Sequence, residues 1–161
     1  MIISVIGTRD SNEENNLIIF NKIKEILKNR NLYPDDIEEV RSGNAYGVDQ
    51  VANKFLDLGI KVKHYIVDNN HNYTLRRKEA DYIVGTGDYD ELMYSLFPWI
   101  KQQSYYVKML ISRNMSIICG KKEENHSSIV FWFTGKGLKG GTSYGVKLAR
   151  HLGIEDIEIT I

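Results

Sequence analysis

Three glycine-containing turns hold the side chains of this 161-residue chain that are best suited to bind a ligand. They are Gly7-Thr8-Arg9, the segment 42–49 (Ser-Gly-Asn-Ala-Tyr-Gly-Val-Asp) and Gly140-Gly141-Thr142. Glycine lets a backbone approach a ligand closely, hydroxyl groups donate hydrogen bonds, and arginine can bind a phosphate through two parallel bonds. One such turn before a helix is usually only a turn, but three of them predict a site for an anion or a nucleotide.

Each of these turns lies between a predicted strand and a predicted helix. Apolar residues at 2–6 and 128–133, and a weaker run at 37–40, predict the strands. The first helix is predicted to begin with a capping box, in which Ser11 is the N-cap and Glu14 bonds back to it. The carboxyl ends of parallel strands meet at one edge of a sheet, so we expect all three turns there. The helix N-termini at that edge would favour a phosphate or carboxylate.

The rest of the chain continues the alternation of strands and helices. Further strands are predicted at 60–67 and 154–161, helices at 48–56, 90–106 (broken at Pro98), 105–115 and 142–152, and a loop at 68–70. Gly59 and Gly153 are predicted to end two of the helices. We therefore expect an α/β fold, a Rossmann-like three-layer sandwich whose mostly parallel sheet has about five strands and helices on both faces. It forms one domain, 1–161, with a helical insertion near 88–112.

The composition narrows the classes of function. Twenty-one basic residues balance 21 acidic residues, which argues against binding nucleic acid by bulk phosphate attraction, so we expect no nucleic-acid partner. The single cysteine excludes an internal disulfide and a cysteine-based zinc site, and the four histidines lack metal-ligand spacing. We find neither a long apolar stretch nor a basic leader, so we expect a complete cytoplasmic protein with no membrane partner.

Well-known nucleotide motifs do not describe these turns. None has the glycine spacing and following acidic residue of an NAD site, and none is a P-loop, so we assign no cofactor and no metal. Asp49 lies in the first turn of a predicted helix, where two interpretations stay open. It either complements the helix dipole or accepts a ribose hydroxyl and orients the loop before it.

Taken together, these motifs resemble the SLOG superfamily. They are Gly7-Thr8-Arg9, the segment 42–49, Arg113-Asn114, Phe131-Trp132 and Gly140-Gly141-Thr142. The chain is most similar to the YspA-like branch of this group, which also includes the LOG (lonely guy) phosphoribohydrolases and the DNA-processing protein A family. The resemblance covers residues 1 to about 159, except for about 68–104. The segment 42–49 is its most specific element.

The resemblance implies a Rossmann-like protein that binds a nucleotide or nucleotide-derived small molecule, often as a homodimer. The residues that it implies for the ligand site are Gly7, Thr8 and Arg9 on one side, Ser42, Gly43, Asn44, Ala45, Gly47 and Asp49 on a second wall, Arg113 and Asn114, and the phosphate-binding Gly140, Gly141 and Thr142. LOG enzymes carry a catalytic glutamate three residues after the threonine, where this chain has Gly145. Hydrolysis of the LOG type is therefore in question.

Three functions compete at this point. The first is a binding module, a sensor or sequestering protein for a nucleotide-derived molecule. The second is a hydrolase or transferase that cleaves an N-glycosidic or phosphate bond, with a carboxylate from Asp49, Glu79, Asp81 or the 88–91 cluster. The third is a single-stranded DNA-binding protein. A homodimer is also predicted, because the chain between 92 and 106 is richer in large apolar residues than one small sheet needs: Leu92, Leu96, Phe97, Trp99, Tyr105 and Tyr106.

Overall fold

The computed structural model describes residues 1–68, 76–85, 87–122 and 124–161. The loop predicted at 68–70 lies, apart from Asp68, outside the described residues. Within the described ranges, six parallel strands form one sheet: β1 (Ile2–Gly7), β2 (Glu39–Ser42), β3 (Lys61–Ile66), β4 (Asp81–Val84), β5 (Ile129–Phe133) and β6 (Glu155–Glu158). The sheet thus has one strand more than predicted, and its parallel arrangement is confirmed.

Helices cover both faces of this sheet. The α-helices are α1 (Glu13–Asn29), α2 (Asp90–Leu96), α3 (Tyr105–Cys119) and α4 (Gly140–His151), and tighter 3₁₀ helices span Pro34–Asp36, Gly47–Leu58 and Pro98–Gln102. Helix α1 and the 3₁₀ helix Gly47–Leu58 bury their apolar residues in one core, and α2, α3 and α4 bury theirs in another. Alternate residues of β5 enter the two cores, as expected for a central strand. The Rossmann-like three-layer sandwich is confirmed.

The strand order β4-β3-β2-β1-β5-β6 creates a crevice beside β1. From β1 the chain proceeds outward through β2 and β3 to β4, and it then returns to place β5 on the other side of β1. A crevice opens at the carboxyl ends of the strands where the order reverses, and open parallel sheets bind their ligands there. The turns after β1, β2 and β5 are the three glycine-containing turns of the sequence.

Several element boundaries differ from the predicted ones. Asn12, not Ser11, caps α1, because its side chain accepts the Asn15 N–H at 2.8 Å, whereas Ser11 donates to the side chain of Asn16 at 2.7 Å. Residues 115–119 belong to helix α3, which is longer than predicted. The expected ends of two helices are confirmed, since Gly59 and Gly153 have φ angles of +75° and +70°.

Strands β2 and β4 show why short charged strands are hard to predict. Strand β2 begins and ends two residues later than the predicted run at 37–40. It includes the charged residues Glu39 and Arg41, which are buried there because they form an ion pair of 2.6 Å. Strand β4 was not predicted, since it lies at the edge of the sheet, where two of its four residues are exposed and the other two only partly buried. In the described part of the chain, no helix is long and apolar enough to cross a membrane.

Candidate functional site

A cleft of about 380 Å³ lies at the carboxyl ends of β1 and β5, beside the turn that follows β2. The predicted site residues that line it are Gly7, Thr8, Arg9, Ala45, Asp49, Arg113, Asn114, Gly140, Gly141 and Thr142. The three turns, which lie far apart in the sequence, therefore meet at one cleft. Its size is within the usual range for small-molecule sites.

The first turn of α4 forms the side of the cleft that is best suited to an anion. The helix begins after Lys139, which makes no side-chain cap, and its first turn contains no acidic residue. The first N–H groups of a helix have no partner within it and carry its positive dipole end. The space beside this backbone is also open: among the described residues, a β-carbon at Gly140, which has a φ of +64°, would have no neighbour within 4 Å, and one at Gly141 would meet the Asn114 side chain at 3.8 Å.

The turn after β1 places Arg9 at the same cleft. The Thr8 N–H donates to the Phe133 carbonyl at 2.9 Å, which joins the ends of β1 and β5. Its own carbonyl accepts the Val48 N–H at 3.0 Å, which joins the turn to the 3₁₀ helix Gly47–Leu58. Arg9 lines the cleft and its side chain is exposed, so its guanidinium is accessible to an anion.

Gly7 and Gly47 allow these turns to pack closely together. A β-carbon at Gly7 would overlap the Phe133 carbonyl and come within 2.7 Å of Val48 Cβ. Gly47 has a φ of +82°, and a β-carbon there would overlap the Thr8 carbonyl. The close approach at both positions, and the positive φ of Gly47, mean that the packing of these turns requires the two glycines. Gly7 lines the cleft, whereas Gly47 supports it from behind.

Asp49 is a buried carboxylate in the wall of the cleft. Its Oδ2 accepts the Ala45 N–H at 3.1 Å, so it holds the turn before it in place. Burial raises the pKa of this carboxyl, against the opposing effects of the Arg113 charge, the bonds from Ala45 and Ser42, and Arg9. Of the two interpretations left open by the sequence, the orienting role has direct support in this hydrogen bond.

Arg113 reaches the cleft from α3 and contacts the turn that follows β2. Its Nη1 donates to the Gly43 carbonyl at 2.7 Å and to the Tyr65 carbonyl at 3.5 Å, and the residue is buried. A β-carbon at Gly43 would overlap Arg113 Nη1 and come within 2.7 Å of Asp49 Oδ2. Gly43 is thus required for Arg113 and Asp49 to close over the turn that follows β2.

Four predicted residues shape the wall without lining the cleft: Ser42, Gly43, Asn44 and Gly47. Ser42 donates to the Val5 carbonyl at 2.6 Å, and Asn44 is buried with a φ of +56°. Asn114, which does line the cleft, donates to the Gly141 carbonyl at 3.3 Å and joins α3 to the first turn of α4. The motif residues therefore divide into those that meet the cleft and those that support it.

Among the described residues, four that line the cleft were not predicted from the sequence: Ile6, Asp10, Leu110 and Ile117. Leu110 and Ile117 stand one helical repeat on either side of Arg113-Asn114. Leu110 lies within the predicted helix 105–115, where helical spacing places it on the same face as Arg113, and the same spacing would have revealed Ile117 if α3 had been predicted at its full length. The candidate acids Glu79, Asp81 and the 88–91 cluster do not line the cleft; Asp90, for example, accepts from Ser112 at 2.8 Å.

The cleft combines balanced charge with an apolar floor. Its described lining contains two arginines, Arg9 and Arg113, and two aspartates, Asp10 and Asp49, so their formal charges cancel. Because the charges balance, an anion would be attracted only locally, by the Arg9 guanidinium and by the N–H groups at the start of α4. The apolar surface of Ile6, Leu110 and Ile117 offers a place for an uncharged group.

Comparison with known proteins adds no assignment to this geometry: no family model, no curated protein and no solved structure matches the chain. The chemistry of the cleft is therefore the basis for a function.

Proposed function

We propose that the cleft binds a nucleotide or a nucleotide-derived small molecule, and that the protein acts as a sensor or a sequestering module for it. One observation carries the proposal: three turns from distant parts of the chain meet where the strand order reverses, and they bring Arg9, Asp49 and the open first turn of α4 to one cleft. A phosphate, a sugar and a base need an anion site, a hydroxyl acceptor and an apolar surface, respectively.

In the proposed complex, the phosphate lies against the first turn of α4. Gly141 and Thr142 supply N–H groups, Thr142 adds its hydroxyl, and Arg9 supplies the charge. A sugar hydroxyl donates to Asp49, which is the more buried of the two cleft carboxylates. The uncharged part of the ligand packs on Leu110 and Ile117 of α3. The resemblance to the SLOG superfamily agrees with this arrangement.

The position of Gly145 supports binding over hydrolysis of the LOG type. Gly145 is buried, and a β-carbon there would come within 2.9 Å of Ile6 Cδ1. A glutamate at this position would require Ile6 and its neighbours in the floor of the cleft to move. The proposed complex therefore has no carboxylate where LOG enzymes carry theirs.

Asp49 favours one further candidate function, cleavage of an N-glycosidic bond. It is buried in the cleft wall, and a carboxylate beside a sugar can stabilise the positive charge that develops as the bond breaks. The two functions differ in their products. Free base accumulates when AMP is incubated with an N-glycosidase, and Asp49→Asn abolishes this, whereas a binding module leaves AMP intact.

The direct test is calorimetric titration with AMP, GMP, CMP, UMP, adenosine and inorganic phosphate. We expect at least one nucleoside monophosphate to bind more tightly than both adenosine and inorganic phosphate, because only the nucleotide occupies the anion site and the apolar floor together. Native mass spectrometry of the freshly purified protein gives an independent test, since a tightly held ligand would copurify. Failure of every compound to bind, with no copurified small molecule, would overturn the proposal.

A further inference from the structure

Behind the wall of the cleft runs a chain of side-chain hydrogen bonds that the proposed function does not use. His64 Nε2 lies 2.8 Å from Asn53 Oδ1, Asn53 Nδ2 donates to Gln50 Oε1 at 2.8 Å, and Gln50 Nε2 donates to the Ala45 carbonyl at 2.7 Å. Gln50 Nε2 also donates to Asn44 Oδ1 at 3.3 Å. We call the side chains of His64, Asn53 and Gln50 the relay.

The sheet end of the relay is fixed by burial. Asn53 Oδ1 can only accept, so Nε2 of His64 carries the proton and donates. His64 is fully buried and stacks on Tyr82 with a ring separation of 5.3 Å. Burial, with the Arg113 charge as a second cause, lowers the pKa of His64 to about 3, so the ring is neutral and keeps one tautomer. Donation therefore runs in one direction, from the sheet towards the cleft.

The other end of the relay lies at the cleft. Ala45 is held on both sides, because its carbonyl accepts from Gln50 and its N–H donates to Asp49 Oδ2 at 3.1 Å. The preceding Asn44 has a φ of +56°, a sparsely populated conformation that asparagine tolerates better than most residues and that a surrounding constraint stabilises. The relay supplies such a constraint through side chains that do not line the cleft.

We propose that Gln50 and Asn53 are positioning residues that hold the turn 43–46 in the conformation that presents Ala45 and Asp49 to the cleft. Neither residue lines the cleft, so their effect on a ligand is indirect. The inference rests on the proposed function only for its effect on ligand binding, since the effect on the turn is a property of the protein alone. Charged groups surround the relay: Asp49 and Arg113 at the cleft end, Arg77, which donates to the Asn53 carbonyl at 3.3 Å, and Lys54 on the same helix, paired with Glu13.

The test measures hydrogen exchange of the Ala45 amide by NMR in the unliganded protein. Gln50→Met keeps the length of the side chain and removes its hydrogen bonds, and Lys54→Met is the matched control on the same helix outside the relay. We expect the protection factor of Ala45 to fall about tenfold or more in Gln50→Met and to stay unchanged in Lys54→Met. Equal protection in the two variants would overturn the proposal.

A second variant covers the case in which Gln50→Met does not fold. Gln50→Glu keeps the shape, but as a carboxylate it cannot donate to the Ala45 carbonyl. We expect it to lose the protection of Ala45 at pH 7 and to regain it as the introduced carboxyl is protonated, while the wild type shows no such recovery over the same pH range. Protection at pH 7 equal to that of the wild type would mean that side-chain shape, and not the relay, holds the turn.

AMP affinity separates this inference from the proposed function. If the wild type binds AMP, we expect Gln50→Met to bind it about tenfold more weakly and Lys54→Met to bind it as the wild type does. Weaker protection of Ala45 in Gln50→Met, in a protein whose wild type binds no nucleoside monophosphate, would contradict the proposed function and support the relay. Unchanged protection and unchanged AMP affinity in Gln50→Met would do the reverse.

Discussion

Arg9 and Arg113 both line the cleft, but their environments predict different roles. Arg113 is buried and already donates to the Gly43 and Tyr65 carbonyls, so it holds the two walls together. Arg9 is exposed at the end of β1, beside the open first turn of α4. The difference predicts that loss of Arg113 affects folding, whereas loss of Arg9 affects only the ligand.

Arg9→Ala should weaken the binding of nucleoside monophosphates by about tenfold to a hundredfold, since a charge-assisted hydrogen bond contributes about 1.5–3 kcal/mol. The melting temperature should change little, because the side chain is exposed. Calorimetric titration measures the first effect and calorimetric melting the second. Arg30→Ala is the matched control, as Arg30 is a surface arginine paired with Glu155 at 2.7 Å. Wild-type affinity in folded Arg9→Ala would contradict the phosphate site.

A second prediction at the residue scale concerns Glu124, whose carboxyl has a lowered pKa. It accepts from Lys63 at 3.1 Å, from Tyr65 at 2.9 Å and from the Lys121 N–H at 2.9 Å, and it lies 3.6 Å from the buried Arg41. Burial alone would raise the pKa of this carboxyl, but the bonds from Lys121, Lys63 and Tyr65 outweigh it and lower the pKa to about 2.

A folded-state pKa below that of the unfolded chain means that Glu124 stabilises the fold at neutral pH. This contribution is lost as the pH falls from about 4.5 through about 2, below which the carboxyl is protonated in both states. We expect Glu124→Gln to unfold at lower urea concentration than the wild type at pH 7, and the two midpoints to converge at low pH. A constant difference between the midpoints over this range would argue against the ion network.

At the scale of elements, the turn after β2 and the first turn of α4 both contain glycine, but Gly43 and Gly141 differ in what a side chain at each position would meet. Gly43→Ala should destabilise the protein by about 1–3 kcal/mol, since the new methyl group would displace Arg113 from its bond to the Gly43 carbonyl. Gly141→Ala introduces the same methyl group into open space in a helix, so it should leave stability unchanged or slightly higher. Urea denaturation of the two variants measures the difference, and equal midpoints would contradict this account.

Gly141→Val tests the cleft without testing the fold. A larger side chain at this exposed position occupies the space over the first turn of α4, where the phosphate is proposed to lie. We expect nucleotide binding to be lost in calorimetric titration while circular dichroism still shows the folded protein. A folded Gly141→Val protein with the affinity of the wild type would place the anion elsewhere.

The elements that the sequence predicted well are those with a strong apolar pattern. Strands β1 and β5 are almost entirely buried, and a continuous apolar run predicts each of them, whereas the alternating pattern of 60–67 predicts β3. The end of α3 was not predicted, because a short apolar run such as 115–119 has the same pattern in a buried helix as near a strand. This error concealed Ile117, one of the residues that form the apolar floor of the cleft.

At the scale of the whole molecule, the convergence of the turns followed from topology, whereas the contents of their walls did not. Parallel strands place their carboxyl ends together, so the turns after β1, β2 and β5 could be predicted to meet. The contact of Asp49 with Ala45, the position of Arg113 and the relay from His64 depend on how α3 and the 3₁₀ helix Gly47–Leu58 pack on the sheet. No local pattern in the sequence specifies that packing.

Burial reduces the set of residues that could form the interface of the predicted homodimer. Phe97 is buried, where its ring meets those of Trp99 and Tyr144 at 5.4 Å and 5.0 Å, so it does not contribute an exposed contact. Trp99, Tyr105 and Tyr106 have 47%, 78% and 39% of their surface exposed, and they follow one another from the 3₁₀ helix Pro98–Gln102 into α3. Neighbouring exposed aromatic residues of this kind are common at protein interfaces.

Tyr105 offers the sharpest test of that surface, because its high exposure means that Tyr105→Ser removes few contacts within the chain. We expect light scattering at micromolar concentration to give the wild type twice the 18.6 kDa of one chain, and to give Tyr105→Ser a lower mass that falls further on dilution. Tyr33→Ser is the control, since Tyr33 is 57% exposed but follows the end of α1, outside this surface. A monomeric wild type would contradict the dimer. A dimeric wild type that Tyr105→Ser leaves intact and Tyr33→Ser dissociates would place its interface near the end of α1.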